Sequence, residues 1–356
     1  MLEDHDTAVI IGRFVPVHNY HIDTLFVPAI RYKKLLVLIG SATGPRTHKN
    51  PFTFEERKDL IQLHLREKGL KGDIHFFPLK DYPYSDDRWV LQVQKIVNEN
   101  AINQVHLFGS DKDSSSYYLR LFPTWTLHLQ NIKAPVGATE IREAYYNDRL
   151  ESVKHLISYN TAMFLDSCRR SRVHQAIRDE YFYAKNKTAI LAFKNEDGTY
   201  REAEYDPIAY CVDNVVSWRG QVLLIERKGP AGKGLLALPG GHLNKNEWIV
   251  DGALRELKEE TSIYFYDSKN VLKKLYLDKN WIKKEKVFDN PERSLFGRKI
   301  TTAFHWVIPD QYGVHTKAGD DASKANWFTF YDVLEKMDNR IFEDHQSIIA
   351  HMILGY

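Results

Sequence analysis

Residues 9–21 read Val-Ile-Ile-Gly-Arg-Phe-Val-Pro-Val-His-Asn-Tyr-His, an apolar run broken by a glycine and resumed at two histidines. Its β-branched start favours a strand. Gly12 lets the chain turn sharply at the carboxyl end of that strand, where open α/β sheets take up ligands. His18 and His21 are three apart, so they share one face of a first helical turn. The unpaired N–H groups and positive dipole end of such a turn suit a triphosphate, whose oxygens the imidazoles can meet. The same letters also describe a helix with two solvated histidines, so the decision falls to the rest of the chain.

Outward from this stretch, strand-like runs recur at 35–39, 74–77, 105–108 and 125–129. Helical spacing separates them, at Ile22, Leu25, Phe26, Ala29 and Ile30 and again over 54–65. Strand–helix alternation with wholly apolar strands predicts a parallel, doubly wound α/β sheet. Helical patterns continue from Thr139 to about His174. The character then changes: 170–207 is polar and tyrosine-containing, with a turn signal at Asn195–Gly198, and reads as a connection plus an edge hairpin. Longer strands follow at 208–216, 221–226 and 301–307, with a strong helix over 247–261 and another over 342–354. That order is α+β. The expected division is a domain at 1–175, a connection at 176–200 and a second domain at 201–356.

Composition sets bounds on both domains. The 356 residues are 43% hydrophobic and 27% charged, too long for one ordinary core. Lys+Arg 49 against Asp+Glu 47 leaves +2, no whole-chain field for nucleic acid or membrane lipid. With 18 Phe, 20 Tyr and 7 Trp the chain has ample surface to bury, so disorder is not expected. There is no apolar run of about 18 residues, and the acidic start MLEDHDTAV is unlike a signal peptide. Cys168 and Cys211 match no metal or redox spacing, and a cytoplasmic home is expected.

Three companions lift the first stretch above the ordinary. Gly137-Ala138-Thr139-Glu140-Ile141-Arg142 opens a helix that Thr139 can cap, with Arg142 one turn in. The small-residue loop 40–53 carries the mobile cations Arg46 and Lys49, and its Thr53 and Glu56 fit a capping box. Gly109-Ser110-Asp111-Lys112-Asp113 follows the fourth strand. In this order, with NPFTFEER at 50–57 and GSDKDSSSYYL at 109–119, residues 5–170 resemble the nicotinamide mononucleotide adenylyltransferases of archaeal type and their H-x-G-H signature.

The resemblance implies a Rossmann-like nucleotidyltransferase domain in which nicotinamide mononucleotide attacks the α-phosphorus of ATP, giving NAD and pyrophosphate. No covalent intermediate is needed, so positioning and charge stabilisation are the whole task. It places His18 and His21 on the phosphates, Thr139 and Arg142 at the β/γ end, and Gly12, Arg13, Phe14 and Arg46 around them. Asp81 and Trp89 match the mononucleotide side, Trp89 as the stacking platform for the nicotinamide ring. Two departures stand out: Tyr20 replaces the glycine between the histidines, and Thr139 is the sole hydroxyl of its segment. They leave the preference between nicotinamide and nicotinate mononucleotide open.

A second pattern occupies 240–263. Val250, Ala253, Leu254 and Leu257 form an apolar stripe, while Glu256, Glu259 and Glu260 converge on another face. Three clustered carboxylates repel one another unless a hard cation intervenes, and oxygen-only ligands select Mg²⁺ or, alternatively, Mn²⁺. A charged face is more often merely solvated, but the spacing goes further. Gly241, Glu247, Arg255-Glu256-Leu257, Glu259-Glu260 and Ser262-Ile263 resemble the Nudix box, with Ser262 where the box has glycine, at the expected C-terminal turn of the helix. An α/β/α Nudix fold is then implied, with Glu256, Glu259, Glu260 and the Gly240 carbonyl as metal ligands and Glu247 in support. In that family the metal ions neutralise a pyrophosphate and activate the attacking water. Gly319-Asp320-Asp321-Ala322 resembles a late structural element of the fold.

The pairing resembles bacterial bifunctional enzymes of NAD metabolism, whose second domain is linked to ADP-ribose hydrolysis to AMP and ribose 5-phosphate. The expected partners are ATP, nicotinamide mononucleotide, NAD and ADP-ribose, with Tyr205, Tyr210 or Trp218 as candidates for substrate recognition. A homo-oligomer is left open. Three other readings compete: transfer to another acceptor such as phosphopantetheine, a second domain acting on another nucleoside diphosphate derivative, and an inactive or sensing module. An intact box and the lack of a basic recognition helix speak against a DNA-binding sensor.

Overall fold

The computed structural model describes residues 6–110, 114–130, 137–190, 193–194, 200–201, 208–266, 271–318 and 322–355. The chain divides into two compact units, Met1–Arg178 and Asp179–Tyr356.

In the first unit, strand β1 (Thr7–Gly12) leads into α1 (Asn19–His21), a π-wound turn (Ile22–Phe26) and α2 (Val27–Ala29). Then follow β2 (Lys34–Ile39), α3 (Phe54–Glu67), β3 (Ile74–Pro78), α4 (Asp86–Asn100), β4 (Val105–Gly109), β5 (Thr126–Leu129), α5 (Ala138–Tyr146), α6 (Tyr159–Arg169) and α7 (Arg172–Ile190), along which the chain passes from the first unit into the second. The five strands are all parallel, in the order β3-β2-β1-β4-β5. The winding reverses between β1 and β4, which opens a crevice at their carboxyl ends. Alternate side chains feed two cores. Ala8, Ile10, Leu35 and Val37 pack with Phe26, Leu60 and Ile61, whereas Val9, Ile11, Leu36 and Leu38 pack with Val93 and Val97 of α4. Burial on both faces is why these strands read as unbroken apolar runs. Each expected strand forms within one residue of its expected ends, and α3 begins at the capping box: Glu56 N donates to Thr53 Oγ1 (3.2 Å) and Thr53 N to Glu56 Oε2 (2.8 Å).

Two readings change in this unit. Thr139 is not the cap of α5; Gly137 takes that place without a side-chain bond, and the Thr139 hydroxyl accepts from Arg142 instead. Residues 172–190, read as the tail of a helical pattern and a polar connection, form the single helix α7. Its buried positions His174, Ile177, Tyr181 and Ala184 recur every three or four residues, so a narrow apolar stripe sits in an otherwise polar sequence.

The second unit contains the short antiparallel pair β6 (Phe193–Lys194) and β7 (Tyr200–Arg201), on either side of the expected turn. Next come β8 (Ala209–Trp218), β9 (Gln221–Arg227), β10 (Leu236–Ala237), β11 (Gly240–His242), α8 (Ile249–Glu260), β12 (Thr261–Tyr266) and β13 (Leu272–Lys274). β14 (Ile282–Phe288), β15 (Lys299–Val307), β16 (Val314–Ala318), β17 (Ala322–Thr329) and α9 (His345–Leu354) complete it. The main sheet runs β10-β9-β8-β15-β14, with β11 beside β8 and β17 beside β9; a second sheet runs β13-β12-β16. Among the described residues β8 and β15 are the only parallel pair of strands in the main sheet. Val212, Val216, Leu223, Phe304 and Trp306 bury Ala253 and Leu257 of α8, and α9 lies against β14 and β15. No helix among the described residues is long and apolar enough to cross a membrane.

Candidate active sites

The end of β1 is built by close backbone approach. Gly40 N donates to the Gly12 carbonyl (3.0 Å), tying the carboxyl ends of β1 and β2 together. A Cβ on Gly12 would lie 2.7 Å from the Phe14 ring, so glycine is required there. Phe14, at φ 50°, folds its buried ring onto His21 (centroids 5.1 Å apart) and Phe26 (5.6 Å). Phe14 therefore supports the histidines from the core. His18 is the extended N-cap residue of α1 and His21 its last residue, and their rings stack with centroids 3.7 Å apart. They share one face, as the spacing requires, but His18 is 0% exposed and only His21 is partly open.

Cations gather around this turn. Arg142 donates through Nη1 to the Val15 carbonyl (2.8 Å) and through Nη2 to Thr139 Oγ1 (3.1 Å). Burial holds its pKa below the ordinary arginine value, and the positive charge of Arg13 adds to the effect. Arg13 itself is exposed. Tyr20, in place of the glycine, brings its hydroxyl to 3.4 Å from Ser110 Oγ, spanning the crevice between the ends of β1 and β4. Asp111–Asp113 of that loop lie outside the described residues.

Three expected residues stand apart from this convergence. Arg46 donates to the Pro51 carbonyl (2.7 Å) and to Glu56 Oε1 (3.2 Å), because the capping carboxylate is the anion beside it. Asp81 is exposed and reaches the cluster only through its charge on Arg57. Trp89, half-buried near the start of α4, packs on Tyr118 (5.7 Å) and Phe122 (6.1 Å). Two residues given no role by the sequence do belong to the site's frame. Tyr118 donates to the Ile11 carbonyl (3.3 Å), burial pushing its phenol up to about 12. Arg57, the last residue of NPFTFEER, binds the carbonyls of Arg13 and Gly40.

The second site is organised by Arg255. Its five N–H donors are all used: Nε and Nη2 grip Glu247 (2.7 and 3.0 Å), Nη1 reaches Glu256 (2.8 Å) and Glu259 (2.9 Å), and Nη2 also meets the His242 carbonyl (3.0 Å). This fork, with the Asn244 N–H, holds the Glu247 carboxyl down at about 2. Glu256 and Glu260 flank the glycine pair from α8. Gly240 N donates to Glu260 Oε2 (2.8 Å), and a Cβ on Gly241 would sit 2.5 Å from the Glu256 carboxyl carbon. Burial raises both carboxyls, Glu260 to about 8, with the charge of Glu256 a further cause. Glu259 is half-exposed and held by Arg255.

Asn214, which carried no sequence signal, locks this geometry from below. Its amide nitrogen donates to the carbonyls of Pro239 (3.1 Å) and Ala253 (2.9 Å), and its oxygen accepts from Trp306 Nε1 (2.9 Å). The glycine pair, α8 and β15 are thus pinned by one buried amide. Among the described residues no three acidic, histidine or cysteine side chains already form a metal cage. The serine in the box's glycine position does not lie in a helical turn. α8 stops at Glu260, Ser262 is an extended residue of β12 paired with Lys317, and Thr261 Oγ1 caps the Leu257 carbonyl (2.6 Å). Trp218 lies five residues along β8 from Asp213, the partner of Gly240, about 17 Å away on a strand and so off this site. Tyr210 bonds Thr302; Tyr205 and Gly319–Asp321 lie outside the described residues.

Comparison with known proteins finds relatives of both units. The family model of the NUDIX domain matches residues 208–351. A nicotinamide/nicotinic acid mononucleotide adenylyltransferase of Acinetobacter baylyi is 35% identical over 179 residues, 49% of this chain and 93% of its own length. An ADP-ribose pyrophosphatase of Methanocaldococcus jannaschii is 33% identical over 141 residues, 40% of this chain and 70% of its own. The crystal structure of a bifunctional NMN adenylyltransferase/ADP ribose pyrophosphatase from Francisella tularensis superposes with a TM-score of 0.84 at 32% identity, covering 97% of both chains. A second Francisella tularensis structure so described, complexed with AMP and a manganese ion, gives 0.79 at 29% identity over 99% of both chains. With a cationic crevice at the end of β1 and a carboxylate-bearing helix in a NUDIX domain, this chain belongs to the family of bifunctional NMN adenylyltransferases/ADP-ribose pyrophosphatases.

Proposed function

We propose that the first unit transfers AMP from ATP to nicotinamide mononucleotide, releasing pyrophosphate and forming NAD, and that the second hydrolyses ADP-ribose to AMP and ribose 5-phosphate. The observation that carries this reading is the opposite charge of the two sites. One gathers guanidinium and imidazole groups at a sheet edge, and the other gathers carboxylates on one helix.

In the first unit the mononucleotide phosphate attacks the α-phosphorus and pyrophosphate leaves. His21, with His18 stacked behind it, donates to the oxygens that gain charge, while Arg142 and Arg13 hold the departing end. Thr139 orients Arg142. Trp89 and Asp81 serve the mononucleotide, with nicotinate mononucleotide as the competing acceptor.

In the second unit Glu256 and Glu260 fit a hard divalent cation. Both carboxyls are raised by burial, their mutual repulsion falls when a cation binds, and the donors are all oxygen. The Gly240 carbonyl and Glu259 complete the donor set. Mg²⁺ is the assigned ion and Mn²⁺ an effective substitute; when bound it neutralises the diphosphate and activates water. The chain's own part is to hold the carboxylates: Arg255 orients three of them, Gly241 leaves room for Glu256, and Asn214 fixes the backbone beneath.

The test is product analysis on the purified chain with Mg²⁺, with ATP and nicotinamide mononucleotide in one reaction and ADP-ribose in the other. His21→Ala is expected to abolish NAD formation alone, and Glu260→Gln to abolish AMP release alone. Loss of both activities in either variant would overturn the assignment of separate sites.

A further inference from the structure

Arg57 is 1% exposed, yet among the described residues no carboxylate lies within ion-pair distance of it. Its donors go to backbone carbonyls instead: Nη1 to Arg13 (2.9 Å) and Gly40 (2.8 Å), Nη2 to Ser41 (3.2 Å), Nε to Thr53 (3.2 Å). Carbonyls orient a guanidinium without cancelling its charge, and an uncancelled buried cation is costly. Burial accordingly lowers its pKa to about 10, with Asp81 and Glu56 opposing from a distance and Arg13 adding repulsion. Arg13 also lowers Arg142. Arg13 therefore repels both Arg57 and Arg142 around the end of β1, and an anion entering there relieves that repulsion.

We infer that Arg57 is a positioning residue for the triphosphate of the nucleotide donor: its fork shapes the β1–α1 turn, and its charge strengthens anion binding from beneath without contact. The inference rests on the reading of the first unit as an adenylyltransferase. It differs from the roles of Arg13 and Arg142, because Arg57 is walled off from solvent and binds only the main chain of the cradle.

The experiment compares wild type, Arg57→Lys and Arg57→Met in NAD formation, varying ATP and nicotinamide mononucleotide separately. Loss of the fork and charge in Arg57→Met is expected to raise KM for ATP about tenfold or more, the scale of a charged hydrogen bond. KM for the mononucleotide should stay within about twofold. Arg57→Lys, which keeps the charge, should fall in between, and it decides the matter should Arg57→Met not fold. A lower kcat with both KM values unchanged, or no change at all, overturns the inference. Calorimetric titration of each variant with ATP alone separates this result from the functional reading. A wild type that binds ATP but forms no NAD sinks the reading, while the ratio of ATP affinities still tests Arg57.

Discussion

At Gly241 one hydrogen atom decides the shape of the hydrolase site. Any Cβ would press on the Glu256 carboxylate, so Gly241→Ala must displace either that side chain or β11. Disturbing a group that orients a ligand typically costs between about 10- and 100-fold in activity. AMP release from ADP-ribose should fall by that factor with NAD formation intact. His305 sets a second expectation. Burial, helped by Lys283, lowers its pKa to about 4, against an ordinary value of 6.5. The unfolded chain takes up this proton before the folded one does. Its stabilisation is therefore complete above pH 6.5 and is lost as pH falls from 6.5 to 4. The shift corresponds to an upper bound of about 3 kcal/mol. Urea midpoints of the second unit at pH 7 and pH 4.5 should diverge less in His305→Asn than in wild type. Single residues were marked out as candidates in the sequence where spacing encodes chemistry, as at His18, His21 and the box glutamates. Asn214 and Arg57 were not, because a buried amide or guanidinium that binds carbonyls has no local pattern: its carbonyl partners are scattered between 4 and 44 residues away.

At the scale of elements, α3 begins where Thr53 and Glu56 said it would. Thr53→Ala removes one side of the reciprocal cap and should cost about 1 kcal/mol, read as a lower melting temperature of the first unit with both KM values preserved. The parallel strands of the first unit were readable because burial on two faces makes each one an apolar run of its own. The second unit hid most of its strands. β10 and β11 are two and three residues long, and β14 alternates Ile282, Lys284 and Lys286 inward with charged neighbours outward, a pattern dominated by lysine. The serine at the end of the box misled for a related reason. A glycine signal implies a helix-ending turn, whereas here the chain passes directly from α8 into β12.

At the scale of the molecule, each unit buries a core of its own. Leu36→Ala empties a fully buried site in the first and Leu223→Ala one in the second, each costing about 2–5 kcal/mol. Heating the two variants should bring forward the loss of NAD formation in one and of AMP release in the other, with the second activity keeping its wild-type profile. The two-domain plan was plain from the change of rhythm after residue 170, but the form of the junction was not. The division at Arg178 and Asp179 falls inside α7, whose first turns pack His174 on Tyr145 and whose later residue Ala184 enters the second core. Trypsin cuts most readily at exposed loop tips, so Arg178 inside a helix offers it a poor target: cleavage there must wait for the helix to unravel, and each half would carry away a frayed end it cannot re-cover.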